Sequence, residues 1–126
     1  MNNSARLVSR KPKKTHVTPQ LRSLDGLPVK QRIDYKIAVM HFKCIHKQAL
    51  SCLPNLLEIH QPRKSLRSSK DTNMLRVPRV NLKTYGERSF SYYGPVTWNE
   101  IPISVRHSTT LEIFKMSLKT FLFQNF

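Results

Sequence analysis

Across residues 29–50 the apolar side chains Ile33, Ile37, Met40 and Cys44 recur at spacings of four, three and four. That is one stripe of an α-helix and does not fit the strict alternation of a half-buried strand. Ala38, Phe42 and Ile45 widen the apolar surface, so this helix is expected to be largely buried and to organise whatever packs around it. Arg32, Lys36, Lys43 and Lys47 fall together on the narrow remaining face. Two readings of that face stand side by side: a basic ridge held on an anchored helix, and an ordinary solvated surface.

A second strong helix is expected over 109–124. Thr109 with Glu112 three residues on fits a capping box, and Leu111, Phe114, Leu118, Phe121 and Leu122 form its stripe, with Lys115 and Lys119 toward the other side. Phe123 and Phe126 are read as packing residues. Shorter elements fill the gaps. Residues 1–9 suggest the end of a helix. Residues 10–19, basic and interrupted by Pro12 and Pro19, read as a solvated linker. Thr18-Pro19 can open a short helix to residue 24, stopped by Asp25-Gly26. A short helix is expected over 53–59, and residues 60–73 read as a loop. The β-rich content of 82–85 and 89–93 around Tyr85-Gly86-Glu87 predicts a small hairpin within 74–93, closed by Gly94-Pro95, which can open a short helix holding Trp98. The expected fold class is mainly α: a small helical domain with a minor β-hairpin and a basic, flexible N-terminal segment. The division is 1–24 for that segment and 25–126 for a single domain, within the reach of one modest core.

Charge sets the partner class. Lys and Arg number 22 against 7 Asp and Glu, for a formal net charge of +15, a surplus that repels itself in a compact state. RNA or DNA is the first candidate to offset it, an anionic membrane surface the second; solubility alone is the third account. Residues 1–70 hold 15 of the basic and 3 of the acidic side chains, which places the expected partner surface in the first half. Within it, Arg63, Lys64, Arg67 and Lys70 crowd a loop in which no acid interrupts positions 59–70. Such a loop can order on a phosphate backbone. No apolar run is long enough to span a bilayer. The start lacks the apolar core of a signal peptide, and two cysteines without such a signal fit a reduced, intracellular setting, nucleus or cytoplasm. Arg10-Lys11-Pro12-Lys13-Lys14 has the character of a nuclear-import patch.

Catalytic patterns are missing from the sequence. The three glycines have neither P-loop nor dinucleotide spacing, and the seven acids are too scattered for a two-metal nucleotidyl-transfer centre. His41, Cys44, His46, Cys52 and His60 invite a metal reading, yet the first three project from different sides of one helix and no paired C-x2-C occurs. No catalytic residue, metal or cofactor is expected. Among the aromatics near Arg88, Tyr85 and Tyr92 are the better choices for stacking on unpaired bases, while Phe90 and Trp98 are read as packing.

Six ordered blocks carry a resemblance. They are Asn3-Ser4-Ala5-Arg6-Leu7-Val8; Leu27-Pro28-Val29-Lys30-Gln31-Arg32-Ile33-Asp34-Tyr35-Lys36-Ile37 with Phe42-Lys43-Cys44-Ile45-His46; Arg63-Lys64-Ser65-Leu66-Arg67-Ser68-Ser69; Leu82-Lys83-Thr84-Tyr85-Gly86-Glu87-Arg88-Ser89-Phe90-Ser91; Gly94-Pro95-Val96-Thr97-Trp98-Asn99-Glu100-Ile101-Pro102; and the closing stretch from Phe114 to Phe123. Together they resemble the region that follows the polymerase core in reverse transcriptases of LINE-type non-LTR retrotransposons. The resemblance implies a non-catalytic extension behind the palm, thumb-like at its start, which assists RNA or DNA binding with little sequence preference. An upstream reverse transcriptase domain is the other implied partner, and a pure packing module docked on it is the alternative. The chain departs from the family at two turns. Asp25-Gly26 stands where an aromatic is usual, and Lys47-Gln48-Ala49-Leu50 replaces a Gly-Leu-Ala-Pro-like turn after His46. The residues expected to meet nucleic acid are Arg32, Lys36, Lys43 and Lys47 on the helix, Arg63, Lys64, Arg67 and Lys70 in the loop, and Tyr85, Arg88 and Tyr92 beyond it.

Overall fold

A computed structural model describes residues 2–10, 12, 14, 16–61 and 73–125. Among these the chain is mainly helical, in the order α1 (Asn2–Val8), α2 (Thr18–Ser23), α3 (Val29–Ile45), a 3-10 turn (Pro54–Leu56), α4 (Lys83–Gly86), α5 (Phe90–Asn99), α6 (Ile103–Arg106) and α7 (Leu111–Gln124). The long helix α3 is central. It packs against both α5 and α7, while α6 lies on α7 and α1 on α2.

Two flanking helices fix which arc of α3 is buried. Ala38, His41, Phe42 and Cys44 are the buried residues, with Tyr35, Val39 and Ile45 packed at the edge of the core. Ile33 and Met40, expected inside, are instead 49% and 39% exposed. The buried stripe is therefore displaced around the helix by roughly a third of a turn from the most regular apolar spacing. The cause is the pair of contacts: His41 meets the Phe90 and Trp98 rings of α5 and Phe42 meets Phe114 of α7. The Phe42 ring lies 4.4 Å from that of Phe114, and Phe114 is 5.7 Å from Trp98. On α7 the expected stripe is inside, with Phe114, Leu118 and Leu122 buried and Leu111, Phe121 and Phe123 packed against them. Its cap is one residue later than expected. The Thr110 hydroxyl, not that of Thr109, accepts from the Ile113 amide at 3.3 Å, and Glu112 pairs with Lys115 at 3.1 Å.

The hairpin expected within 74–93 is not formed. Residues 83–86 and 90–99 are helical, and the only β contact among the described residues is a bridge between Ile59 and Leu75. Strand propensity there is overridden by burial: a helix brings Gly94, Pro95, Thr97 and Trp98 onto one buried face. Pro95 sits inside that helix, at the cost of one backbone hydrogen bond. Asn99 does the work that a neighbouring strand would have done. Its side chain accepts from the Leu75 amide at 3.0 Å and donates to the Leu75 carbonyl at 2.8 Å. The Trp98 indole N–H donates to the Asn73 carbonyl at 2.7 Å. The expected helix over 53–59 shrinks to the 3-10 turn.

Three helices end in the same way. Arg10, Asp25 and Lys47 have φ of 50°, 52° and 56°, each at the residue after a helix C-cap, the position that favours glycine. After α3 the Gln48 amide reaches back to the Lys43 carbonyl at 2.7 Å and the Lys47 amide to Cys44 at 3.2 Å. After α2 the left-handed residue is Asp25, while Gly26 is not left-handed. The turn after His46 thus places a strained residue at Lys47. Lys47→Gly is expected to stabilise the fold by about 0.5–1 kcal/mol, read as a raised midpoint in urea unfolding.

His41 is completely buried. Its Nδ1–H donates to the Ile37 carbonyl at 2.8 Å, which leaves Nε2 as an unprotonated nitrogen without a hydrogen-bond partner. Burial pushes the imidazole pKa below its usual 6.5, outweighing the Ile37 carbonyl, which pulls it upward. Below 6.5 the unfolded chain takes up a proton that the folded chain refuses, so this residue's contribution is complete above that pH and declines beneath it. Thermal unfolding is expected at a lower temperature at pH 5.5 than at pH 7.5, with the difference reduced in His41→Asn.

Candidate functional site

The basic face of α3 follows from the position of its acid. Asp34 is the one carboxylate of the helix, and it points toward α5, where the Tyr93 hydroxyl donates to Oδ1 at 2.7 Å. That hydrogen bond, then burial and the Asp34 charge, push the Tyr93 phenol up to about 12. Arg32, Lys36 and Lys43 occupy the opposite side of the helix. Arg32 and Lys36 are exposed and Lys43 half-buried. Lys47 lies beyond the helix end and is exposed.

Tertiary packing adds to this face a residue that sequence reading left out. A cleft of about 350 Å3 is lined by Asp25, Leu27, Arg32, Tyr35, Lys36 and Lys119. The α2–α3 turn, α3 and α7 all contribute to its lining. Lys119 is 83 positions beyond Lys36 in sequence, and only the packing of α7 on α3 brings them together. Its place opposite the apolar stripe of α7 is the sequence signal for it.

Arg88 and Tyr92 also come together, in a groove of about 560 Å3 that Lys83 and Tyr93 share. Tyr85 does not join them: it stands on α4, 80% exposed, outside that lining. Phe90 is half-buried with its ring 4.8 Å from that of His41, and Trp98 is 1% exposed, both packing residues. Arg63, Lys64, Arg67 and Lys70 lie outside the described residues. On either side of them the chain is tied together, by the His60 amide to the Met74 carbonyl at 2.8 Å and the Arg76 amide to the Glu58 carbonyl at 2.7 Å.

Two of the candidate metal ligands, His41 and His46, have structural duties. His46 Nδ1 is 2.9 Å from the Phe42 carbonyl, and its ring stacks on Phe42 at 4.0 Å. Burial, with Cys52 as a lesser cause, pushes the Cys44 thiol up, the reverse of an activated nucleophile. Among the described residues no three His, Cys, Asp or Glu side chains are grouped to hold a metal ion, and no helix is long and apolar enough to cross a membrane. Comparison with protein-family models, curated proteins and solved structures finds no match to the chain.

Proposed function

We infer that the chain is a non-catalytic nucleic-acid-binding region, of the kind that follows the polymerase core of a LINE-type reverse transcriptase, and that it grips a phosphate backbone with little sequence preference. The observation that carries this reading is the solvent face of α3. Arg32, Lys36 and Lys43 project from a helix clamped between α5 and α7, and its only acid is turned away to Tyr93. A rigid row of cations positions a polyanion without reading bases, and arginine adds a fork that lysine lacks. Arg63, Lys64, Arg67 and Lys70 would extend the contact, with Arg88 and Tyr92 offering a stacking surface to an unpaired base. The six blocks of resemblance support the assignment to a reverse transcriptase, whose polymerase and endonuclease would lie on other parts of the polyprotein.

Fluorescence anisotropy across a salt series tests it. Counterion release gives a log–log slope of about −0.7 per phosphate neutralised on single strands. Binding that persists near physiological salt with a slope reporting several contacts is expected. Alanine at Lys36 and Lys43 together should weaken affinity and flatten the slope by about one to two contacts. Affinity that vanishes equally for every polymer at that salt would sink the reading.

One observation favours a second reading, a packing module for an upstream polymerase domain. Val29, Ile33 and Met40 lie along one side of α3 with exposures of 54%, 49% and 39%, an apolar strip left uncovered among the described residues. A free chain that self-associates, and stops doing so with Ile33→Lys, would favour that reading.

A further inference from the structure

The cleft between the α2–α3 turn, α3 and α7 has a composition that a simple backbone track does not need. Arg32, Lys36 and Lys119 line it with Asp25 as the single carboxylate of the lining, a local surplus of two positive charges. An internal phosphodiester carries one negative charge, whereas a phosphate monoester carries about −1.5 to −2 at neutral pH. The rest of the lining is not ionic. Leu27 is buried at 8% exposure, and Tyr35 is half-buried beside it, which supplies an apolar and aromatic surface of the kind that takes a sugar edge or a base face. At about 350 Å3 the cleft stands near the lower bound of ligand sites, enough for one nucleotide unit.

We propose that this cleft is a binding site for the phosphate monoester of a single nucleotide, with Lys36 and Lys119 as the cations that meet the dianion from two different helices and Tyr35 as the surface for its base or sugar. The proposal rests on the reading of α3 as a nucleic-acid face and adds that one point of that face recognises a terminus or a free nucleotide. The ligand stays chemically unchanged; no bond is made or broken.

The test uses the full chain. Short RNA and DNA strands ending in phosphate or hydroxyl, at the 5′ or the 3′ end, are titrated by anisotropy near physiological salt. In parallel, a nucleoside monophosphate is titrated while the Gly26 and Tyr35 amide signals are followed by NMR. Strands with a terminal phosphate are expected to bind about tenfold more tightly than their hydroxyl-ended counterparts, the effect of losing one charged hydrogen-bonding contact. Lys36→Ala and Lys119→Ala, both at exposed positions, should each abolish that preference. Lys30→Ala removes the same charge from α3 outside the cleft and should lower both affinities equally. Asp25→Asn keeps a residue that tolerates φ of 52° and should tighten binding several-fold. Saturable shifts with the free monophosphate alone, lost in Lys119→Ala, would support the site and identify a free nucleotide as the source of its ligand. Equal binding of both strand types, with no shifts from the monophosphate, would overturn the proposal while leaving the backbone reading in place. Failure of every strand and nucleotide to bind would overturn both.

Discussion

Gly94→Ala is expected to destabilise the protein by roughly 3 kcal/mol or more, at the upper end of what overpacking a core costs. In an ordinary helix interior the same change is favourable by about 1 kcal/mol, because alanine is the better helix former. The sign reverses here because a methyl group at position 94 would overlap the His41 ring at Cε1 and Nε2. Neither partner has room to retreat, since His41 is completely buried, held by the Ile37 carbonyl, and backed by the rings of Phe90 and Trp98. Trp98 is the only tryptophan and is buried, so its emission reports unfolding in urea directly. The double variant with His41→Ser removes the ring that the methyl group meets. It should be more stable than the sum of the two single losses allows, a coupling readable in a double-mutant cycle. A Gly94→Ala protein as stable as the parent would mean that α3 and α5 do not cross at this point.

The second large effect is expected at Phe114. Its ring has no exposed surface and meets a ring from α3 and one from α5, Phe42 at 4.4 Å and Trp98 at 5.7 Å. Truncating a buried phenylalanine to alanine costs about 3–5 kcal/mol through lost burial and the cavity left behind. A domain of this size has roughly 5–15 kcal/mol in total, so Phe114→Ala removes a large part of it and leaves the chain marginal. The control is one residue away. Ile113 is 49% exposed on the same helix, and Ile113→Ala should change stability by less than about 1 kcal/mol. If both variants unfolded at the same urea concentration, α7 would not be docked by the face described.

These two variants also bear on function. The basic row on α3 and the cleft with Lys119 exist only while α5 and α7 hold the central helix between them. A Phe114→Ala chain should therefore lose the discrimination between phosphate and hydroxyl termini before it loses salt-sensitive attraction to polyanions, because the latter needs only the charge of +15 and not its arrangement.

What could be read from the sequence was what depends on neighbours within a few turns. The periodicity of 29–50 and 109–124 identifies α3 and α7, because an amphipathic helix repeats every 3.6 residues whatever it packs on. The excess of Lys and Arg and the row Arg32, Lys36 and Lys43 are equally local, as is the apolar stripe of α7, which has one main face to bury. The hairpin failed for the complementary reason. The aromatic and β-branched content of 82–93 fits a pleated surface only if another strand offers one, and here the available surface is α3, which takes Gly94 and Trp98 from a helix. The buried arc of α3 was hidden too. With α5 on one side and α7 on the other, the chain buries His41 and leaves Ile33 and Met40 in solvent, a choice that hydropathy along a single helix cannot rank. The same distance in sequence hid the cleft: Lys36 and Lys119 line it together only when α7 folds back onto α3, and that contact is decided by the fit of Phe42 against Phe114, a matter of shape between segments and not of pattern within one.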